Sequence, residues 1–164
     1  MKKFFLLLLG VAVFIAAVGY FTGPAQKNQQ SSLKEFVEKS LSSQTVKIGD
    51  LKINVEVADT ASERRQGLSG KESLSANSGM LFIFEGKSKN PFWMKDMNFP
   101  IDMIWIDDGK IVGIEKNAQP QTGASDEQLR LYYPPVAVSQ VLEVNAGFSD
   151  KNSIELGERV ELSM

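Results

Sequence analysis

Five consecutive apolar residues, Met80-Leu81-Phe82-Ile83-Phe84, set the tightest condition on how this chain can fold. A run that short, with no polar position, reads as a β-strand buried on both faces, because a half-buried strand alternates and a helix runs longer. Such a strand needs an apolar layer on each side of its sheet. Other segments supply partners. Leu51, Ile53, Val55 and Val57 alternate with Lys52, Asn54 and Glu56, the period-2 pattern of a half-buried strand. Residues 101–106 form another β-rich run, and Asp108-Gly109 offers a hairpin turn into Ile111-Val112-Gly113-Ile114. Residues 136–144 and 159–162 resume strand character, the last after Gly157. Thr60-Ala61-Ser62-Glu63 has the form of a capping box and Gly67 suits the far end, which predicts a helix of about two turns. Strands outnumber helices, so the expected fold is mainly β: a small barrel or sandwich with one or two short helices, over residues 46–164.

The N-terminus obeys different rules. Lys2-Lys3 precede an unbroken apolar run from Phe4 to Phe21, closed by Thr22-Gly23-Pro24. About 18 residues at ~1.5 Å rise give roughly 27 Å of helix, near the ~30 Å of bilayer hydrocarbon. Residues 1–25 are therefore expected to be a membrane anchor or an export signal. Length and the boundary aromatics Tyr20-Phe21 favour the anchor, and Gly23-Pro24-Ala25 is a poor cleavage site. The two lysines keep the start of the chain in the cytoplasm, so the domain is expected outside it, tethered to the membrane, or secreted if the segment is cleaved. Residues 26–45 read as a polar linker carrying a short amphipathic helix capped by Ser32.

Of the 164 residues none is Cys or His, which removes thiolate and imidazole metal sites, cysteine nucleophiles and the Ser-His-Asp triad. Eighteen Lys+Arg against twenty Asp+Glu, a formal charge of −2, give no basic stripe for nucleic acid. No phosphate-binding loop is present, and no cofactor is expected.

Several blocks occur in a familiar order: Gly67-Leu68-Ser69-Gly70-Lys71-Glu72-Ser73-Leu74, Gly79-Met80-Leu81-Phe82-Ile83-Phe84, Phe92-Trp93-Met94-Lys95-Asp96-Met97, and Phe99-Pro100-Ile101-Asp102. Leu142-Glu143-Val144-Asn145-Ala146-Gly147 and Leu156-Gly157-Glu158-Arg159-Val160 complete the set. From about Lys52 to Leu162 the chain closely resembles the DUF192 (UPF0127) family. The resemblance implies a compact β-rich domain, frequently exported, and supplies no reaction. The family often has Met where Ser69 stands and Arg where Lys71 stands, and Lys cannot reproduce a bidentate guanidinium fork.

Three chemistries remain open. Residues 90–100 concentrate aromatics, methionines and two prolines, which restrict the backbone to a shaped loop or strand edge. Phe92, Trp93, Met94, Lys95, Met97 and Asp102 would make a surface that grips an envelope protein, peptide or glycan without catalysis. Alternatively Phe92, Trp93, Met94 and Phe99 fill one end of the barrel. Asp102 and Glu143 each interrupt an apolar run. If both faced one cleft, they would form the carboxylate pair of a hydrolase; otherwise each is outward-facing or paired, Asp102 with Lys95 or a backbone amide. Met94 and Met97, with Met80 and Met103, would offer thioethers to Cu(I). With so few catalytic side chains, binding is favoured over catalysis.

Overall fold

Alternation and turn chemistry generate the strands where the pattern is strongest. The computed structural model describes residues 44–163. The N-terminal apolar run, the linker and the Ser32 helix lie outside these residues. Among the described residues no helix is long and apolar enough to cross a membrane. The chain order is β1 (Gln44–Ile48), β2 (Leu51–Ala58), α1 (Ala61–Gln66), β3 (Ser78–Ser88), β4 (Ile101–Asp107), β5 (Lys110–Ala118), β6 (Val138–Asn145), α2 (Phe148–Lys151) and β7 (Val160–Ser163), with one turn of 3-10 helix at Asp126–Gln128. The hairpin joining β4 to β5 turns on Asp108 and Gly109, with φ of 48° and 67°, the pair of positive values a type I′ turn requires. The α1 capping box is formed: the Thr60 hydroxyl accepts from the Glu63 N–H at 3.2 Å, and the Glu63 carboxylate accepts from the Thr60 N–H at 3.2 Å.

The strands make one sheet in the order β5-β4-β6-β3-β2-β1-β7. Every pairing is antiparallel except β2 with β3, whose crossover is residues 59–77 with α1 inside them. The sheet curls until its two edges touch at one corner. There Lys110 bridges Arg159, the Ile111 N–H donates to the Glu158 carbonyl at 3.0 Å, and the Val160 N–H donates to the Gly109 carbonyl at 2.8 Å. The architecture is thus mainly β, a seven-stranded curled half-barrel with two short helices, and not two sheets face to face.

Each face carries its own core. Val46, Ile53, Ile104, Leu142 and Val144 pack with Phe148 and Ile154, from α2 and the turn after it, on what we call the α2 face. Met80, Phe82, Met103, Trp105 and Val141 pack on the opposite face with Leu68, Met94, Met97 and Tyr132, all from connecting segments. In β3, Met80 and Phe82 belong to this loop-covered face and Leu81 to the α2 face, so the central strand is buried on both sides as its composition requires.

Two long connections, the first residues 89–100 and the second residues 119–137, cover the second face, and they pair with each other. The Phe92 and Tyr132 N–H groups each donate to the other's carbonyl at 2.9 Å, and the Gln121 N–H donates to the Met94 carbonyl at 2.9 Å. The second connection lies tight on the sheet: a Cβ on Gly113 would sit 2.8 Å from the Pro135 ring and 2.9 Å from Trp105.

Candidate functional site

Phe92 opens the site because its backbone is fixed by Tyr132 and its ring by three others. It meets Phe82 at 5.2 Å, Trp105 at 5.3 Å and Phe84 at 6.2 Å between centroids, each edge to face. Along this segment the side chains divide. Met94 and Met97 are buried in the core of the loop-covered face, Phe92 is half-buried, and Trp93 is 41% exposed. The two readings of residues 92–99 therefore apply to different side chains: Met94 and Met97 fill the core, and Trp93 stays available.

Trp93 stands at the edge of a cavity of about 940 Å³. Phe82, Phe84 and Glu143 from the sheet line it, with Arg64, Arg65 and Gly67 from α1 and its end. Phe92, Lys95, Asp96 and Met97 from the first connection line it too, as do Asp126, Leu129 and Leu131 from the second. The loop bearing Trp93 is tied to its surroundings. The Ser69 hydroxyl donates to the Lys95 carbonyl at 2.9 Å, the Gly70 N–H to the Asp96 carbonyl at 3.0 Å, and the Thr122 hydroxyl to the Met97 carbonyl at 3.0 Å. Arg64 donates to the Ile83 carbonyl at 2.9 Å and to that of Asp59, and its guanidinium lies 5.3 Å from the Phe84 centroid. Lys95 is ion-paired with Asp126, and that hydrogen bond raises its pKa above the ordinary lysine value.

The two buried carboxyls among the described residues do not meet. In the β4–β6 register Asp102 lies opposite Val144 and Met103 opposite Glu143, so Asp102 faces α2 and Glu143 faces the cavity. A shared cleft is excluded by the pleat, and the hydrolase pair of Asp102 and Glu143 falls with it. Asp102 also leaves the expected binding surface. It is fully buried, and its oxygens accept from the N–H groups of Asn117 at 2.9 Å, Gly147 at 3.1 Å and Ser149 at 3.0 Å. Its partners are backbone amides and not Lys95. Asn145, next to Val144 on β6, ties in a distant segment: its amide donates to the carbonyls of Leu74 at 3.0 Å and Ser75 at 3.1 Å.

Glu143 is 4% exposed, and among the described residues no hydrogen bond or ion pair reaches it. Burial alone pushes its carboxyl from the ordinary 4.5 up to about 8, so it is protonated at neutral pH. Its cross-strand neighbours are Met80 on β3 and Met103 on β4. Those methionines share one buried cluster with Met94 and Met97, packed among Phe82, Trp105 and Val141 as core side chains.

Part of the cavity escapes a reading of the sequence. Arg64 and Arg65 belong to a helix legible only as a capped segment, and Phe84 to a strand read as wholly buried. Leu129 and Leu131, two apolar residues spaced by two inside a polar loop, are the one local signal that this loop turns inward.

Comparison with known proteins adds family and no activity. Residues 44–162 match the model of DUF192, described as "Uncharacterized ACR, COG1430". A crystal structure from Sinorhizobium meliloti 1021, described as that of a candidate transcription regulator, is 31% identical at a TM-score of 0.64, covering 73% of this chain and 91% of its own. A protein of unknown function from Novosphingobium aromaticivorans DSM 12444 is 26% identical at a TM-score of 0.63, covering 72% of this chain and 82% of its own. No curated protein matches the sequence.

Proposed function

The chain belongs to the DUF192 family, and from the cavity's geometry we propose that it is a non-catalytic binding domain whose ligand enters beside Trp93. One observation carries the reading: a cavity of about 940 Å³ lined by Phe82 and Phe84 of β3 and by Phe92 and Trp93 of a loop fixed by backbone bonds to its neighbours. Sites for small ligands and peptide side chains are concave, largely apolar and pre-formed, with few polar groups. Catalysis has less support. The sequence holds no Cys or His, and Asp102, once a partner for Glu143, points away. The apolar run at residues 4–21 supports placing this domain outside the cytoplasm on a membrane tether, in reach of an envelope protein, a peptide or a glycan.

Two measurements test this. In heteronuclear spectra of the full chain, small aromatic fragments should shift the Trp93 indole and the Phe92 and Leu131 signals, and Trp93→Ala should weaken the best of them about tenfold. If no fragment shifts cavity residues, the binding reading is wrong. For the tether, sequencing the N-terminus of the protein recovered from membranes should find Met1 or Lys2; a chain starting at Gln26 would show a cleaved signal.

A further inference from the structure

We propose that this cavity takes an organic cation, a primary ammonium or guanidinium group on an apolar stem, with the Glu143 carboxylate as its counter-ion. The proposal rests on the binding reading above and adds the charge of the ligand.

The argument begins with what Glu143 lacks. A buried carboxyl is costly unless donors satisfy it, and this fold supplies them to Asp102 three times over from its own backbone. To Glu143 it supplies none, and the two side chains opposite it in the sheet, Met80 and Met103, have no donor to give. That role is left open to whatever fills the cavity, which Glu143 lines. A carboxylate accepts through both oxygens, and an ammonium or guanidinium group brings several N–H donors together with the compensating charge.

The walls suit the same group. Phe82, Phe84, Phe92 and Trp93 all line the cavity, and aromatic faces attract cations, most strongly where water is displaced. The chain already seats its own cations in this way on the same side. Arg64 lies over Phe84 at 5.3 Å, and Arg130 over Tyr132 at 4.6 Å.

Neighbouring charges leave room for it. Arg64 and Arg65 face the cavity from α1, Lys95 and Asp96 from the first connection, and Asp126 from the second. Arg64 is spent on the carbonyls of Asp59 and Ile83, and Lys95 on Asp126, so neither reaches Glu143. With Glu143 ionised, three cationic groups face three carboxylates. An incoming cation then meets no net repulsion, whereas an anion would meet the Glu143 carboxylate.

Because Glu143 holds a proton at neutral pH, the cation must displace it. Binding should tighten as pH rises toward 8, by roughly tenfold per unit well below that value, with release of about one proton.

The test is calorimetric titration of the full chain with 2-phenylethylammonium chloride and with its uncharged analogue 2-phenylethanol. The expected result is binding of the ammonium at least about tenfold tighter at pH 8, and a proton released at pH 6.5, read from buffers of different ionisation heat. Glu143→Gln, which keeps the side chain's shape and whose fold is checked by its melting transition, should abolish both the preference and the proton release. Equal binding of the two probes would overturn the cation and leave the cavity in place. A preference that survives in Glu143→Gln would overturn the counter-ion assignment. Binding of neither probe overturns the proposal too, and the aromatic fragments described above show whether the cavity reading falls with it.

Discussion

Each face of the sheet buries one carboxyl, and the two are treated in opposite ways. On the α2 face Asp102 collects three backbone N–H groups: Asn117 at the end of β5, and Gly147 and Ser149 at the start of α2. It acts as a knot that ties three segments of chain to one side chain. On the loop-covered face Glu143 sits between two methionines with no donor, and its carboxyl stays protonated to about pH 8. Depth is nearly equal, so burial does not separate a structural carboxyl from an available one. The supply of donors does.

That contrast is most directly broken at Asp102. Asp102→Ala leaves three buried N–H groups unpaired at about 1–3 kcal/mol each, so a loss of about 4 kcal/mol or more is expected in denaturant titration. A loss below about 1 kcal/mol would mean that water or relaxation replaces the carboxyl. Glu143→Gln should act in the other direction, and only in one pH window. The unfolded carboxyl loses its proton near 4.5 and the folded one near 8, so between these values the native state holds a proton the unfolded state has lost. Native stability therefore falls as pH rises through that window. The variant should equal the parent near pH 4 and exceed it by on the order of a few kcal/mol at pH 8. Parallel stability profiles for the two proteins would remove the contrast altogether.

Smaller effects sharpen the division within residues 92–97. Phe92→Ala removes a half-buried ring from contacts with Phe82, Phe84 and Trp105 and should cost about 2 kcal/mol. Trp93→Ala, one residue on, should change stability by less than about 0.5 kcal/mol, as exposed positions do, while lowering ligand affinity. Similar melting losses for both would return Trp93 to the core.

Strand identity was legible where local chemistry is decisive. Alternation marks β2, the unbroken run marks β3, Asp108-Gly109 marks the hairpin, and Thr60 to Glu63 marks the start of α1. The four buried residues of β1 and α2, Val46, Ile48, Phe148 and Ser149, lie in segments too short to show a period, and neither element is assigned from the sequence. The facing of Asp102 and Glu143 is lost for another reason. Both have apolar neighbours on either side, so alternation gives no phase, and the phase is fixed by pairing between strands far apart in the chain. The cavity depends on two loops pairing through Phe92 and Tyr132, a contact that only the folded sheet brings within reach.

The position of β7 beside β1 bears on the order in which this domain can be made. The first strand, Gln44–Ile48, hydrogen-bonds β2 on one edge and waits for Val160–Ser163 on the other. Synthesis delivers those partners far apart in time. Until residues 160–163 emerge, the nascent chain presents an unpaired strand edge, open to mispairing with a neighbouring chain. Closure then depends on a contact spanning the whole domain, which slows folding relative to a locally connected fold of the same size.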